Sequence, residues 1–230
     1  MEVVPGVYGV DFGGRVWSYI VEGGDGLTLI DAGIAGQLSV LSEFLGDIGA
    51  RPDDVNRIIL THFHRDHVGL AAELRDLAGA QVIAHKAEAA VIAGREPAPE
   101  PHLTAPEELI FERVAGGIPD APFAIVDREV GDGDEISLGS GAPAEVIHVP
   151  GHTAGSISVY VPKRGIVFTG DAAASMNGRP MVGVFNVDGE EARRSFSRIG
   201  QLGAETACFG HGEPVVGDAN SAFSEAAARL

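Results

Sequence analysis

The sequence predicts an α/β fold in which two β-sheets pack face to face and helices cover their outer sides. Three observations lead there. Short apolar runs of strand length alternate with stretches of helical periodicity along the 230 residues. The runs near both ends come in hairpin-like pairs. The hydrophobic fraction, 45%, suffices for a sizeable core. No linker or low-complexity stretch interrupts the chain, so residues 1–230 read as one domain.

Residues 2–10, 15–22 and 26–30 are expected strands, joined by Gly13-Gly14 and Gly23-Gly24-Asp25-Gly26. Over residues 37–49 the period becomes helical. Leu38, Leu41, Leu45 and Ile48 share a face, and Gly49 supplies a stop. A strand over 56–61, a helix over 68–78, a strand over 81–84 and a helix over 86–93 follow. Strands over 136–138, 144–149, 156–161 and 166–169, a helix over 190–202, a strand over 206–209 and a helix over 218–230 complete the series. Two stretches fit no regular element. Residues 94–127 are rich in proline, with a helix expected only over 105–115, and residues 172–188 set Met176, Met181, Val184 and Phe185 around Gly178 and Pro180.

Charge excludes one class of partner. With 33 acidic against 16 basic residues the formal net charge is −17, and no basic stripe follows a phosphate backbone, so no nucleic acid is expected. The single Cys208 excludes an internal disulfide framework; it lies in an apolar run and reads as a small buried residue. The N-terminus lacks the basic start and apolar stretch of a signal peptide. No run approaches the roughly 18 apolar residues that span a bilayer. The expectation is a soluble, cytoplasmic protein with no membrane partner, its oligomeric state unspecified.

The chemistry concentrates in Thr61-His62-Phe63-His64-Arg65-Asp66-His67. In an extended segment His62 and His64 point to the same side, and Asp66 and His67 follow at once. Imidazole with carboxylate suits zinc, iron, manganese or nickel rather than calcium or magnesium. Further along, His152 lies in Pro150-Gly151-His152-Thr153, Asp171 closes a run from Ile166, and His211 lies between Gly210 and Gly212. Asp31 follows Leu27-Thr28-Leu29-Ile30. His152, Asp171 and His211 sit beside glycine and Asp31 two residues before one, each after a strand-like run, as a side chain presented at the lip of a sheet does.

In that order, Asp31, His62-x-His64-x-Asp66-His67, His152, Asp171 and His211, the chain resembles the metallo-β-lactamase superfamily along nearly its whole length. The resemblance implies a four-layer αββα sandwich with two divalent transition metals at one edge, zinc first, iron or manganese as alternatives. It implies that His62, His64 and His152 hold one ion, that Asp66, His67 and His211 hold the other, and that Asp171 bridges them. A bridging water would then become the hydroxide nucleophile, and the ions would polarise the substrate carbonyl. Asp66 would also pass a proton to the leaving group. Asp31, with no metal position left, would orient a ligand histidine from behind. His85, His102 and His148 are read as non-ligands, His148 being the nearest to an exception.

Asp171 narrows the branch. True β-lactamases of this superfamily usually carry Cys or Ser there, whereas Asp171 matches hydroxyacylglutathione hydrolases (glyoxalase II), quorum-quenching lactonases and RNA nucleases. The end at Leu230 leaves no room for glyoxalase II's glutathione-binding helical domain, residues 172–188 lack the lactonases' tyrosine, and the basic surface of a nuclease is absent. The resulting expectation is a dinuclear metal-dependent hydrolase of a small ester, lactone or thioester. Met176, Arg179, Met181 and Phe185 are expected to contact the acyl substrate, with Arg179 on its carboxylate or carbonyl. The alternatives are a mononuclear-iron persulfide dioxygenase, separable by metal content, a β-lactamase, and a metal-stabilised binding protein, against which the complete ligand set argues.

Overall fold

Ile58, Ile59 and Leu60 are all fully buried, which a strand achieves only when both of its faces are covered. In the computed structural model, which describes every residue except 140, 142 and 230, this run belongs to a seven-stranded sheet. Its strands are β1 (Glu2–Val4), β2 (Val7–Asp11), β3 (Trp17–Gly23), β4 (Gly26–Ile30), β5 (Val55–Leu60), β6 (Gln81–His85) and β7 (Arg128–Val130), in that spatial order. Pairing is antiparallel as far as β4 and parallel from β4 to β7. The chain continues through β8 (Glu135–Ser137), β9 (Pro143–His148), β10 (Ile157–Val161), β11 (Ile166–Phe168), β12 (Ala173–Met176), β13 (Arg179–Val182), β14 (Thr206–Cys208) and β15 (Val215–Val216). A second sheet runs β15-β14-β11-β10-β9-β8, and β12 pairs with β13.

Strand alternation sorts the core into three layers. Ile30, Ile59, Val146, Phe168 and Cys208 fill the space between the sheets. One residue along, Leu29, Ile58 and Leu60 face outward with Leu41, Leu45 and Leu74 of the helices. On the other side Ile147, Val167 and Phe209 pack with Phe196, Ile199 and Phe223. The helices are α1 (Leu38–Asp47), α2 (Arg65–Val68), α3 (Ala71–Ala78), α4 (Ala89–Ile92), α5 (Ala105–Ala115), α6 (Gly189–Gly200) and α7 (Ala219–Ala227). The result is the expected αββα sandwich. Among the described residues no helix is long and apolar enough to cross a membrane.

Several boundaries differ from expectation for physical reasons. The helix expected over 68–78 is broken at Gly69, where a Cβ would lie 2.3 Å from Ala35 N and 2.4 Å from Gly33 O. The backbones touch there: Gly69 N donates to Gly33 O and Leu70 N to Ala32 O, which ties the loop after β4 to the histidine-bearing turn. The stretch 172–188, expected to be irregular, contains the β12–β13 hairpin. Asn177 and Gly178 form its two-residue turn, with φ of 54° and 72°. That Asn-Gly pair is itself a strong hairpin signal. Helix 105–115 forms as expected, capped by reciprocal bonds between Thr104 and Glu107. The expected closing helix stops at Ala227, and its Leu230 end lies outside the described residues.

One side-chain tie fastens α3 to the parallel half. Asp127 accepts from the Val82 backbone N–H at 3.0 Å and from the Arg75 guanidinium at 2.7 Å, joining α3 to β6. Asp127→Ala leaves the Val82 N–H without that acceptor and is expected to cost about 1–3 kcal/mol, read as a lower urea midpoint at pH 7. Arg75 holds the Asp127 carboxyl below the usual carboxylate range. The stabilisation is therefore present above the unfolded value near pH 4 and lost as pH falls through the lower folded one. The gap between wild type and variant should close with acid; a gap that is unchanged at low pH would sink this account.

Candidate metal centre

The chemistry-bearing residues follow strand ends. Asp31 comes directly after β4, His62 and His64 after β5, His152 after β9, Asp171 after β11 and His211 after β14. Sequence positions up to 180 apart are thereby brought to one edge of the sandwich. His62, His67, His152 and Asp171 are buried, and so is Asp66; His64 and His211 are half-buried.

Two groups of donor atoms form, each with its atoms within 4.8 Å of one another: His62, His64, His152 and Asp171, then Asp66, His67 and His211. In the first, His64 Nδ1 lies 3.0 Å from His62 Nε2 and 2.9 Å from His152 Nε2. Asp171 Oδ2 stands 3.5 Å from His152 Nε2 and 3.9 Å from His62 Nε2. In the second, His211 Nε2 lies 3.6 Å from Asp66 Oδ2. Asp171 reaches this group as well, with Oδ2 at 3.1 Å from His211 Nε2 and Oδ1 at 3.3 Å from His67 Nε2. A tetrahedral ion with metal–nitrogen bonds of 2.0–2.1 Å separates its donors by roughly 3.3 Å, so the spacings suit a cation.

The outer nitrogens decide where the protons sit. His67 Nδ1 faces Asp31 Oδ2 at 2.8 Å, His152 Nδ1 faces Val184 O at 3.0 Å, and His211 Nδ1 faces Arg15 O at 2.6 Å. These acceptors cannot donate, so each Nδ1 carries the proton and each Nε2 turns a lone pair inward. For His62 the outer partner is Thr61 Oγ1 at 3.0 Å, whose own proton goes to Asp31. The buried His67 Nε2 and Asp171 Oδ1 have no hydrogen-bond partner. Lone pairs aimed at one another in a buried space fit bound cations and fit little else.

Without cations, protons take up part of this task. Burial disfavours charge on His67 and His211, but Asp171 outweighs it, raising His67 well above the ordinary imidazole value and His211 to about 9. Burial likewise works against the Asp171 carboxylate, and His211 and His67 reverse it, holding the group well below its usual range. His62 and His64 are pushed far down by burial and by neighbouring histidines.

Asp31 lies behind His67, on the side away from the other donors. Its φ is 58°, a left-handed conformation uncommon outside glycine. Bonds from Thr61 N, Thr61 Oγ1 and His67 hold it there. Gly210 is required by close approach, since a Cβ would lie 2.3 Å from Asp171 Oδ1. His148 stacks on His85 with ring centroids 4.3 Å apart and bonds Ala154 O rather than a ligand side chain.

The sequence reading did not single out Glu88. It is 1% exposed and accepts from Phe63 N at 2.9 Å, Gly155 N at 2.7 Å and Thr153 Oγ1 at 3.0 Å. It therefore clamps the turn of His62 and His64 to the turn of His152. Burial lifts its pKa, and these donors pull against that rise. Nothing in the local pattern of residues 86–93 marks it, because its partners are distant in sequence.

A cavity of about 110 Å³ opens on the donors, roofed by Phe111, Val114 and Ile118 with Phe185 at the side. Phe111 and Phe185 meet edge to face at 5.1 Å. Of the four expected substrate contacts, Phe185 lines this cavity; Met176, Arg179 and Met181 line a different one.

Comparison with known proteins gives one family. Residues 11–211 match the metallo-beta-lactamase superfamily. The hydroxyacylglutathione hydrolase of Erythrobacter litoralis (strain HTCC2594) is 30% identical over 168 residues, covering 73% of this chain and 52% of that protein. The same-named protein of Rhizobium meliloti (strain 1021) is 28% identical over 186 residues, covering 76% and 59%. The chain thus spans about half the length of the curated relatives it matches. Among solved structures, metallo-beta-lactamase family protein TTHA1429 from Thermus thermophilus shares the fold, with TM-score 0.72, 24% identity and coverage of 99% and 80%. TTHA1623, solved in a di-iron-bound form, gives TM-score 0.69 and 26% identity, covering 97% of this chain and 100% of that one.

Glu88→Gln keeps the size of the clamp but turns an amide N–H₂ toward one of its donors. The two histidine turns should then lose register. Zinc affinity, measured by chelator competition, is expected to fall about 10–100-fold, the usual cost of removing a group behind metal ligands. Far-UV circular dichroism should not change. Unaltered affinity would show that Glu88 only fills space.

Proposed function

Because the chain belongs to the metallo-β-lactamase superfamily, we propose that it is a metal-dependent hydrolase that opens a small ester, lactone or thioester at a two-metal centre. The observation that carries this reading is Asp171, whose two carboxylate oxygens lie against donors of both groups. His62, His64 and His152 would hold one ion, Asp66, His67 and His211 the other, and Asp171 would span them, as two-metal chemistry needs. Zinc suits the nitrogen and oxygen donors, and iron or manganese are compatible with them; the di-iron form of TTHA1623 is in keeping with two ions. Such ions supply Lewis acidity toward a carbonyl oxygen and a water that gives up its proton near neutral pH.

The chain's own groups do the rest. Asp31, Val184 O and Arg15 O keep His67, His152 and His211 aimed with lone pairs inward. Asp66, which lines the cavity, would relay to the leaving group the proton that the attacking water gives up. Phe111, Val114, Ile118 and Phe185 exclude water and cover the apolar part of the acyl group. The curated relatives named hydroxyacylglutathione hydrolase support a thioester among the candidate bonds. A net charge of −17 disfavours a polynucleotide substrate.

Protein purified without chelator should contain close to two transition-metal ions per chain. In Asp171→Ala, turnover should be nearly abolished and metal lost first from the Asp66, His67 and His211 group. The fold should persist, because Ile166, Val167 and Phe168 before it are buried in apolar packing. One ion per chain, all iron, would favour the dioxygenase reading instead; full occupancy and normal activity in the variant would reduce Asp171 to a turn residue.

Phe185 should set acyl-chain preference through burial, at about 25 cal/mol per Å² of apolar surface. Phe185→Ala is expected to lower kcat/KM for long acyl chains more than for short ones. Equal losses across chain length would count against a substrate lying along this wall.

A further inference from the structure

Three arginines line a cavity away from the donor atoms. A cavity of about 930 Å³ is formed by the β12–β13 hairpin, residues 183–189, α6 and the end of α7, and its walls carry Arg179, Arg193 and Arg229. That is three of the 16 basic residues of a chain with 33 acidic ones. Arg179 and Arg193 make no side-chain hydrogen bond or ion pair with any described residue, and Arg229, just past the end of α7, has one long contact, 3.7 Å to Glu225. Other arginines are engaged, Arg75 by Asp127, Arg194 by Glu191 and Arg198 by Asp132, while Arg15, Arg51, Arg95 and Arg113 are unpaired among the described residues but line no cavity together with one another. The one acidic side chain of the cavity wall, Glu107, is occupied in capping α5 through Thr104. Between the arginines the wall is apolar, with Met176, Met181, Val182 and Phe196. Met176 is 62% exposed, so its apolar surface is open to a ligand in the cavity.

We infer that this cavity is a binding site, separate from the metal-type donors, for an amphipathic organic anion: a carboxylate or phosphate head on an apolar body. Guanidinium groups pair both heads bidentately. An acidic chain repels anions in general, so a pocket that gathers unpaired arginines reverses that field locally. The methionines offer an adaptable apolar surface for a body of several carbons, and the volume is that of a small-molecule site. The site also abuts the chemistry. Gly183 and Asn186 line it, while Val184 O between them holds His152 and Phe185 lines the metal-side cavity. A bound ligand would therefore brace the segment that orients His152.

The test uses the full chain stripped of metal, so that no anion is held by an ion and the hydrolase reading is not at stake. Calorimetric titration with octanoate and with octyl phosphate should give one site per chain. Inorganic phosphate, acetate and octyltrimethylammonium should bind at least tenfold more weakly. The double variant R179Q/R193Q should weaken both amphipathic anions at least tenfold with its melting temperature unchanged, and the control K163Q should not. Tighter binding of octanoate identifies a carboxylate ligand, and tighter binding of octyl phosphate a phosphate ester. Absence of binding, a preference for the cation, or equal losses in R179Q/R193Q and K163Q would overturn the assignment.

Discussion

The donor edge rests on one constraint: buried lone pairs that face one another need positive charge among them. His67, His152 and His211 each have an outer nitrogen committed as a donor, to Asp31, Val184 O and Arg15 O. Their inner nitrogens cannot become donors by a change of tautomer without breaking those bonds. Asp171 adds a carboxylate in the same space. Burial makes each unpaired group costly. Only protons or metal ions can balance the cluster, and protons serve badly, since His62 and His64 resist charging. The arrangement is therefore better matched to cations than to any set of protons.

The constraint explains features that local structure leaves unaccounted for. Asp31 accepts a left-handed backbone because only there can it serve Thr61 and His67 together. Gly210 has no side chain because Asp171 Oδ1 and His67 occupy the space, and Gly155 has none because Glu88 Oε1 would lie 2.6 Å from its Cβ. Glu88 ties the two histidine turns, while Trp17 N, bonded to Gly210 O, and Tyr19 Oη, bonded to Phe209 O, tie the first sheet to the turn of His211. Each loop is held by groups from another loop or the opposite sheet, so the donors are positioned collectively.

What the sequence made legible follows the same division. The strands were readable as apolar runs, but the sorting of Ile59 from Ile58 and Leu60 into different layers was not, since three consecutive apolar residues show no period. Among the donors, His62, His64, Asp66 and His67 were readable from their density after an apolar run, and His152, Asp171 and His211 from the glycines beside them. Glu88 and the carbonyls of Arg15 and Val184 were not, since their roles exist only once distant segments meet. The β12–β13 hairpin was within reach through Asn177-Gly178, but its methionines and proline drew the reading toward an irregular loop. Sequence adjacency to Asp171 also suggested that Met176, Arg179 and Met181 share its cavity. The hairpin turns away instead, and by Phe185 the chain has come back to the donors.

That excursion gives the edge its two-sided character. Residues 183–187 form a thin partition: His152 is held from one side by Val184 O, while Val187 N donates to His152 O and His102 N to Asn186 O. The main chain carries most of these bonds, so side chains on either face can change without dismantling the partition. The metal-side face is small and apolar under α5, and the other is wide and lined with arginine. Because one backbone segment supports both, pressure from the wide face would reach His152 through two hydrogen bonds, at Val184 O and at Val187 N. With a ligand in the wide cavity, coupling to the donors would need no movement of either sheet, only a shift in a segment that neither sheet holds.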